Sequence, residues 1–253
     1  MDNLSVDRST DSPFGSSESS EHHPPSRHRR RRHQVIAASV AICALVVAII
    51  VVSSHNKSTG TSGSMVNGCE FKDGGSCQSM DLTDVDVSDK PMTGMNLSYS
   101  TLIRAKFIDA TMNQAILRSA TLTDADFRGA KLDGANLLNA KLTGVVSGKI
   151  EGTPSLPAGW MLVHGYFVGP AANLDDANLN GQILIGAVLA NGTLRNAKLS
   201  GAKLGGVDFA GADLTGADLS GADMTDVIWS DTTCPNGQKQ STPCEALPTK
   251  KHD

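Results

Sequence analysis

The chain has 253 residues and a formal net charge of −4 at pH 7, a size that allows one or two domains and a charge that indicates no particular class of partner. Aromatic residues make up 4% of the sequence, while glycine alone occurs 25 times. A wide globular core needs large side chains, so this composition favours a narrow interior lined by small and aliphatic residues.

Residues 1–34 are polar, rich in Ser, Pro and His, and almost without large apolar side chains. Such a segment cannot bury enough surface to offset the entropy lost on ordering, so we predict that it is disordered. It ends in a basic run at residues 27–32, interrupted only by His28. We interpret this run as a membrane-topology signal, with a contact to nucleic acid or anionic lipid as the alternative.

Residues 35–52 carry no charge and read VIAASVAICALVVAIIVV. As a helix they would span about 27 Å, close to the thickness of a hydrocarbon core. A cleaved signal peptide is the alternative, but its apolar region is normally shorter and an A-x-A-like site follows it, whereas SSHNKSTG follows here. We therefore predict an uncleaved single-pass transmembrane helix over residues 35–53. The arginines before it predict a cytoplasmic N-terminus and an extracytoplasmic remainder.

A five-residue repeat dominates the rest of the chain and is clearest at residues 197–226, AKLSG AKLGG VDFAG ADLTG ADLSG ADMTD. Each block has a small apolar residue first, a polar residue second, Leu, Phe or Met third, and a turn-former fifth. A step of five advances about 500° around a helix and changes face on a flat strand, so neither element buries the third places together. One turn per block, always toward the same side, buries them all and winds the backbone into stacked coils.

The A-(D/N)-L-x-x pattern of these blocks resembles that of the pentapeptide-repeat family. The resemblance implies that four blocks make one square coil and that the stack is a right-handed quadrilateral β-helix, an all-β solenoid. The chain is therefore predicted to begin with a disordered cytoplasmic tail (1–34), the transmembrane helix (35–53) and a linker with an N-terminal disulfide loop (54–79). A first repeat tract (80–144), an interrupting loop with a hairpin (145–171) and a second repeat tract (172–231) follow. The last segment is a C-terminal disulfide tail (232–253).

Several side chains have expected positions in such a coil. Residues twenty apart would stack on one side, which predicts ion pairs in Lys106–Asp126, Lys198–Asp218 and Lys203–Asp223. Four consecutive second-place aspartates would fall on four different sides as solvated residues rather than as a cation site: Asp208, Asp213, Asp218 and Asp223.

The third places of the first tract should point inward, namely Phe107, Met112, Leu117, Leu122, Phe127, Leu132, Leu137 and Leu142. Pro91 suits a turn or an edge, and residues 227–229 should cover the last coil.

The period fails between residues 145 and 171. Residues 145–159 are rich in Gly and Pro and are predicted to form a loop, while WMLVHGYFV, residues 160–168, predicts a tight hairpin around His164 and Gly165. The whole segment resembles an insertion found in exported pentapeptide-repeat proteins. Its aromatic residues Trp160, Tyr166 and Phe167 form a possible interaction loop; the alternative is that the segment packs on its own solenoid.

Four cysteines flank the repeats: Cys69 and Cys77 before them, Cys234 and Cys244 after them. Outside the cytoplasm, four cysteines most often form two disulfides. With about six square coils at about 4.8 Å each, the two ends of the stack would lie about 30 Å apart, too far for a disulfide between them. We therefore predict Cys69–Cys77 and Cys234–Cys244, with free thiols or a metal site as alternatives. Cys43, in the predicted membrane helix, is expected to be inert.

The sequence contains no G-x-S-x-G, P-loop, Rossmann or H-E-x-x-H motif. His164 is the only histidine in the region predicted to fold, and it has no evident catalytic partner. We therefore expect no catalytic residue, cofactor, metal, small-molecule substrate or nucleic acid. The predicted function is a non-enzymatic, membrane-tethered, extracytoplasmic scaffold that is structural or binds another protein. The alternative implied by the resemblance is a DNA-mimicking, gyrase-binding protein.

Overall fold

A computed structural model of the chain describes residues 65–245. These residues lie within one compact unit, Ser58–Asp253, and the other unit, Met1–Lys57, is outside the described range. The disordered tail, the transmembrane helix over residues 35–53 and most of the linker therefore remain predictions. Within residues 65–245 there is no helix with the length and apolar character needed to cross a membrane.

Each five-residue block contributes one parallel β-bridge through its second residue. Bridge partners lie twenty residues apart, as in Asp81 with Thr101 and Thr101 with Thr121. Twenty residues are four blocks, so each coil has four sides, as the resemblance implied. We number the sides in chain order. Side 1 contains Ser76, Asn96, Ile116, Asn136 and Ser155; side 2 Asp81, Thr101, Thr121 and Lys141; side 3 Asp86, Lys106, Asp126 and Val146; side 4 Pro91, Thr111, Lys131 and Glu151.

The second tract continues the same four sides. Val146 on side 3 pairs with Asn173, so this side is continuous across the interruption. Counted onward from Asn173, the remaining bridge residues of the second tract follow in chain order. Side 3 adds Thr193, Asp213 and Thr233; side 4 Asn178, Lys198 and Asp218; side 1 Ile183, Lys203 and Asp223; side 2 Val188, Asp208 and Ile228. The ladder of side 3 therefore contains eight stacked bridge residues, more than the six coils expected from the sequence would provide.

Backbone hydrogen bonds join successive coils in a fixed pattern. The N–H groups of the third and fifth places donate to the next coil, as in Leu199 to Asp218 O (2.9 Å) and Gly201 to Ser220 O (2.8 Å). The second-place N–H donates in the other direction, as in Asp218 to Ala197 O at 2.9 Å. A coil inside the stack is thus bonded on both of its faces, whereas an end coil has one face without a neighbour.

The corner of each block is a tight turn. The third-place carbonyl accepts a hydrogen bond from the first residue of the next block, for example Ala105 N to Leu102 O at 3.2 Å. The fifth residue has positive φ, 60° at Asp84 and 68° at Gly94. This combination is the signature of a type II turn, which requires a residue that tolerates positive φ at its third position. The turn explains why fifth places hold Gly, Asp or Asn so often.

Second-place Asp and Asn side chains cap the turn that follows them. Asp81 Oδ1 accepts hydrogen bonds from the backbone N–H and the hydroxyl of Thr83, at 3.1 and 2.6 Å. Asp223 accepts the same pair from Thr225, at 3.2 and 2.7 Å. These bonds lower the pKa of both carboxyl groups below the ordinary value of 3.8. The second-place aspartates thus have a local structural role on every side of the coil.

The third places and most first places form the core, as the sequence predicted. The third-place residues of the first tract, Phe107 to Leu142, are all buried, and Leu174 to Leu219 continue the pattern in the second tract. Phe107 and Phe127 stack with their ring centroids 4.7 Å apart, one coil above the other. The small first-place residues let the opposite walls of the coil approach, which is why the low aromatic content is sufficient for a complete core.

Three two-stranded antiparallel hairpins accompany the solenoid. Strands β1 (Met65–Val66) and β2 (Cys69–Glu70) lie before the first coil, β3 (Met161–Val163) and β4 (Tyr166–Val168) in the interruption, and β5 (Thr232–Thr233) and β6 (Lys239–Gln240) after the last coil. Disulfides Cys69–Cys77 and Cys234–Cys244 close the terminal segments, with Cα separations of 5.5 and 5.4 Å. These are the two pairings that the sequence predicted.

Pro91 and residues 227–229 occupy the two end coils. Pro91 is in the first coil and has a ladder partner on one face only, Thr111, so the edge position suits its missing N–H. Trp229 is buried and packs 5.5 Å from Phe209, centroid to centroid. The expectation that all three residues cover the coil was wrong for Ile228, which is a second-place bridge residue and is 50% exposed.

We predict that Leu137→Asp destabilises the solenoid by about 3–5 kcal/mol or more, because a carboxylate would replace a fully buried side chain. The neighbouring Leu138→Asp is the matched control, since Leu138 is 43% exposed and should change stability by less than about 0.5 kcal/mol. Chemical denaturation measures both. Hydrogen exchange should show loss of protection over several coils in Leu137→Asp; a loss confined to one block would contradict the cooperative ladder.

We also predict that acid weakens the turn caps. Because the pKa values of Asp81 and Asp223 are lowered in the folded protein, the stability that they contribute is fully present above pH 3.8 and is lost as the pH falls through their folded pKa values. Replacing both with Asn keeps an acceptor oxygen at the cap but removes the titration. The melting temperature of the double variant should therefore fall less steeply below pH 3.8 than that of the wild type. Equal slopes would show that these caps do not titrate with folding.

Candidate interaction surface

The interruption contains the tight hairpin that the sequence predicted. Strands β3 and β4 pair with Leu162 opposite Phe167 and Val163 opposite Tyr166. His164 and Gly165 form the two-residue turn with φ values of 50° and 78°. Positive φ at both positions is characteristic of the type I′ turn, whose twist matches that of the flanking strands.

Both faces of this hairpin are apolar because each packs against a different half of the solenoid core. Leu162 and Phe167 contact the cluster formed by the first repeat tract. Met161, Val163 and Val168 belong to or pack against the cluster of the second tract. The hairpin is thus an inserted layer between the two halves, which explains its continuous run of apolar residues.

Phe167 fills a place that the coil itself leaves empty. Ser147 is the third-place residue below Phe127, where a Phe or Leu would normally stand. The Phe167 ring occupies this space, fully buried and edge-on to Phe127 with the ring centroids 5.7 Å apart. Its backbone N–H donates to Ser147 Oγ at 2.9 Å. A small residue in the coil and a large one in the insertion therefore complement each other.

Tyr166 and Trp160 also contact the protein itself. The Tyr166 hydroxyl accepts a hydrogen bond from Asn178 N at 3.2 Å, and its ring lies against Gly148, where an added Cβ would come within 3.1 Å of the ring. Trp160 packs against both core clusters and lies over Gly169. Of the three aromatic residues in the possible interaction loop, Phe167 is buried, while Trp160 and Tyr166 are partly exposed.

Residues 145–155 are part of the solenoid, so the prediction of a loop was wrong for them, whereas residues 156–159 have no ladder partner within the described part of the chain. Val146, Glu151 and Ser155 stand in the ladders of sides 3, 4 and 1. The repeat pattern is lost because the third places hold Ser147 and Gly152, and because Ser155 follows its ladder partner Asn136 by 19 residues instead of twenty. The large apolar residues that identify a coil are missing from these third places, and the inserted hairpin supplies large apolar residues instead.

Exposed apolar side chains are concentrated on side 1. Seven large hydrophobic side chains are exposed within the described residues, and five of them lie on this side or on the corner that ends it. They are Tyr99, Ile116, Leu138, Ile183 and Ile185, with exposed fractions of 60, 36, 43, 67 and 62%. The other two, Met65 and Ile228, lie near the two ends. We call the five residues on side 1 the apolar side.

A groove lies at the interruption between the two repeat tracts. It is lined by Gly152, Thr153, Pro154, Leu156, Trp160, Met161 and Leu162. Trp160, one of the residues of the predicted interaction loop, lines this groove, whereas Phe167 does not. Four of the exposed residues are second or fourth places and Tyr99 is a fifth place, all outside the buried positions of the repeat, so no sequence signal other than their position on a common side could have grouped them.

The charged residues stack as predicted, but they do not form the predicted ion pairs. Lys106 is the bridge partner of both Asp86 and Asp126, and its ammonium lies 3.4 Å from Asp86. Asp126 instead pairs with Arg128 at 2.6 Å. Within residues 65–245, neither Lys198–Asp218 nor Lys203–Asp223 comes within ion-pair distance. The twenty-residue spacing determines which residues are neighbours in a ladder. A long exposed side chain can nevertheless pair with any of several nearby charges.

The four second-place aspartates Asp208, Asp213, Asp218 and Asp223 lie on four different sides, as the sequence predicted. Each accepts a backbone hydrogen bond from the residue two places on. Across the described part of the chain, no three His, Cys, Asp or Glu side chains converge in a way that could hold a metal ion.

The fold defines a four-sided β-solenoid, and comparison with known proteins gives its family. The family profile "Pentapeptide repeats" matches in 8 copies at residues 92–124, 120–146 and 193–228. Residues 92–146 and 193–228 thus match the pentapeptide-repeat family, and the ladders of the described residues form the four-sided β-helix that the resemblance implied. No curated protein matches the chain.

Solved structures of pentapeptide-repeat proteins are similar to this chain. HetL, involved in heterocyst differentiation regulation in the cyanobacterium Nostoc sp. strain PCC 7120, is 22% identical, with 64% of this chain and 92% of HetL covered and a TM-score of 0.27. The thylakoid-lumen protein AT2G44920 of Arabidopsis thaliana is 24% identical, with coverage of 58% and 70% and a TM-score of 0.26. QnrB1, a plasmid-mediated fluoroquinolone resistance protein, is 19% identical, with coverage of 61% and 82% and a TM-score of 0.28.

We predict that Phe167→Ala destabilises the protein by about 3–5 kcal/mol, because it empties the space beside Ser147 and Phe127. Tyr166→Phe is the matched control from the same hairpin; it removes one partly exposed hydrogen bond and should cost about 1 kcal/mol. Denaturation measures the difference. If Phe167→Ala proved as mild as Tyr166→Phe, the hairpin would not be part of the core.

Proposed function

We propose that this protein is a non-enzymatic scaffold, tethered to a membrane by residues 35–53, whose repeats stand outside the cytoplasm and bind a partner protein through the apolar side. The concentration of exposed apolar residues on one of four sides carries this proposal. The matched family indicates no enzymatic activity.

The tether is supported by the sequence before the solenoid. An uncharged apolar segment of membrane-spanning length follows an arginine-rich run, which is the arrangement that keeps the N-terminus in the cytoplasm. Two disulfides, one at each end of the solenoid, agree with an oxidising compartment for the repeats. Both observations favour an extracytoplasmic solenoid.

The apolar side is supported as a binding surface because its residues replace polar residues that would stabilise the turns. Ile116 and Ile183 occupy second places, where Asp or Asn would cap the following turn. Ile185 and Leu138 occupy fourth places, which hold Thr or Ser beside the capping aspartates. Exposed apolar residues at these places contribute little to the fold, and a concentration of large exposed apolar side chains on one surface is typical of an interaction site.

A protein partner suits this surface better than nucleic acid. Lysines and aspartates alternate in the ladders of side 3, side 4 and side 1, as in Lys106 with Asp126 and Lys203 with Asp223. A DNA-mimicking surface requires a continuous acidic track, and the alternating lysines interrupt it. The flat, apolar side offers van der Waals contact and burial of apolar area instead.

The test uses two cysteine variants in intact cells and a membrane-impermeant maleimide. Ile183→Cys probes the apolar side; Lys106→Cys, on the opposite side 3 and 55% exposed, is the matched control. We expect Lys106→Cys to react in intact cells and Ile183→Cys to react several-fold more slowly because the partner covers it. After purification the two should react at similar rates.

Two results would contradict the proposal in different ways. If both variants react only after the cells are permeabilised, the repeats do not face outward. If both react equally in intact cells, the apolar side has no partner there. The wild-type chain measures the background from the native cysteines.

A further inference from the structure

The last coil of the solenoid is covered on one side only. On side 3, Leu214 N donates to Thr233 O at 2.8 Å and Gly216 N to Pro235 O at 2.9 Å, so β5 and the residues after it continue the ladder. The chain then reverses through a turn closed by Cys234 N to Gln238 O at 2.8 Å, and β6 pairs with β5. The coil stops before it reaches side 4.

The other three sides of this coil present an open β-edge. The third- and fifth-place N–H groups that would donate to a further coil have no backbone acceptor within residues 65–245; they belong to Leu219, Gly221, Met224, Asp226 and Trp229. Leu219 is only 1% exposed, so water has little access to that residue. A buried N–H without an acceptor is costly, which indicates that a further segment pairs with this edge.

The edge is acidic as well as open. Between residues 204 and 238 the sequence contains six aspartates and neither Lys nor Arg. Asp218, Asp223 and Asp226, on sides 4 and 1, are exposed. An occupant with positive charge therefore matches the edge better than a second copy of the same acidic end.

The residues that follow Glu245 have the required position, length and charge. Cys244 is tied to Cys234, which directly follows Thr233 on side 3, and the first open side, side 4, comes next around the coil. Residues 246–253 read ALPTKKHD and include Lys250 and Lys251. Eight extended residues reach about 26 Å, and five residues cover one side. Each open side is a short edge that would bind a free peptide weakly, whereas a tethered segment acts at an effective concentration of about millimolar or above.

We propose that residues 246–253 bind along the open edge of the last coil, starting on side 4, and continue there the ladder that β5 continues on side 3. The segment supplies carbonyl acceptors to Leu219 and Gly221, and its lysines face the exposed aspartates. It closes an edge that would otherwise pair with other chains. This inference is independent of the partner proposed for the apolar side.

Residue-resolved hydrogen exchange on the full chain tests this directly. The amides of Leu219 and Gly221 should be protected in the full chain and exchange about tenfold faster or more when residues 246–253 are deleted. Leu199 and Gly201, one coil earlier on the same side and bonded within the ladder, are the internal reference and should not change. Their protection also shows that the shortened chain is folded.

Charge variants test whether the binding of residues 246–253 to the edge depends on the charge of the two lysines. Lys250→Glu with Lys251→Glu should speed exchange at Leu219 and Gly221, while Lys250→Arg with Lys251→Arg should leave it unchanged. The proposal is overturned if these two amides are unprotected in the full chain. It is also overturned if they stay protected after the deletion, which would show that a second copy or another protein covers the edge.

Discussion

The ladder of hydrogen bonds between coils is the interaction on which the rest of this structure depends. Fixing the backbone of a twenty-residue coil costs about 20–40 kcal/mol of conformational entropy, far more than one coil can recover from its own turns. The third-place and fifth-place N–H groups find acceptors only on the next coil, as Leu199 and Gly201 do. Stability is therefore a property of the stack, and each place where the stack ends or is interrupted needs a specific solution.

The interruption shows how such a solution is built. One coil replaces its large third-place residues with Ser147 and Gly152, which leaves a space inside the column. The β3–β4 hairpin enters this space with Phe167 toward one half of the core and Val168 toward the other. Side 3 remains continuous through Val146 and Asn173, so the two halves keep a common ladder while the hairpin supplies the missing core. The groove at the interruption is a consequence, because the coil is irregular at that point.

The regular part of this architecture was predictable from the sequence because its determinants are local. The third place, the turn-former in the fifth place and the second-place Asp all act within one block, so a period of five was enough to predict burial of Leu137. The stacking of Lys106 on Asp126 also needed the four blocks per coil that the family resemblance implies. The irregular part was not predictable, because Phe167 fills the space left by Ser147, twenty residues away, without following the repeat. The apolar side was missed for a related reason. Ile116 and Ile183 are 67 residues apart, and only the count of sides across the insertion brings them to one surface.

The two ends of the solenoid differ in how their β-edges are closed. At the first coil, Pro91 has no N–H to offer, and the Asn67 side chain donates to Asp81 O at 2.8 Å, so the edge is partly closed by the chain itself. At the last coil, β5 and β6 close side 3 and leave the N–H groups of the other sides directed toward the end of the column. An open edge of this kind is short on every side because each corner breaks the strand, which limits accidental pairing with free peptides. Only a segment that turns with the coil, or one that is held close by a covalent link, can use all of it.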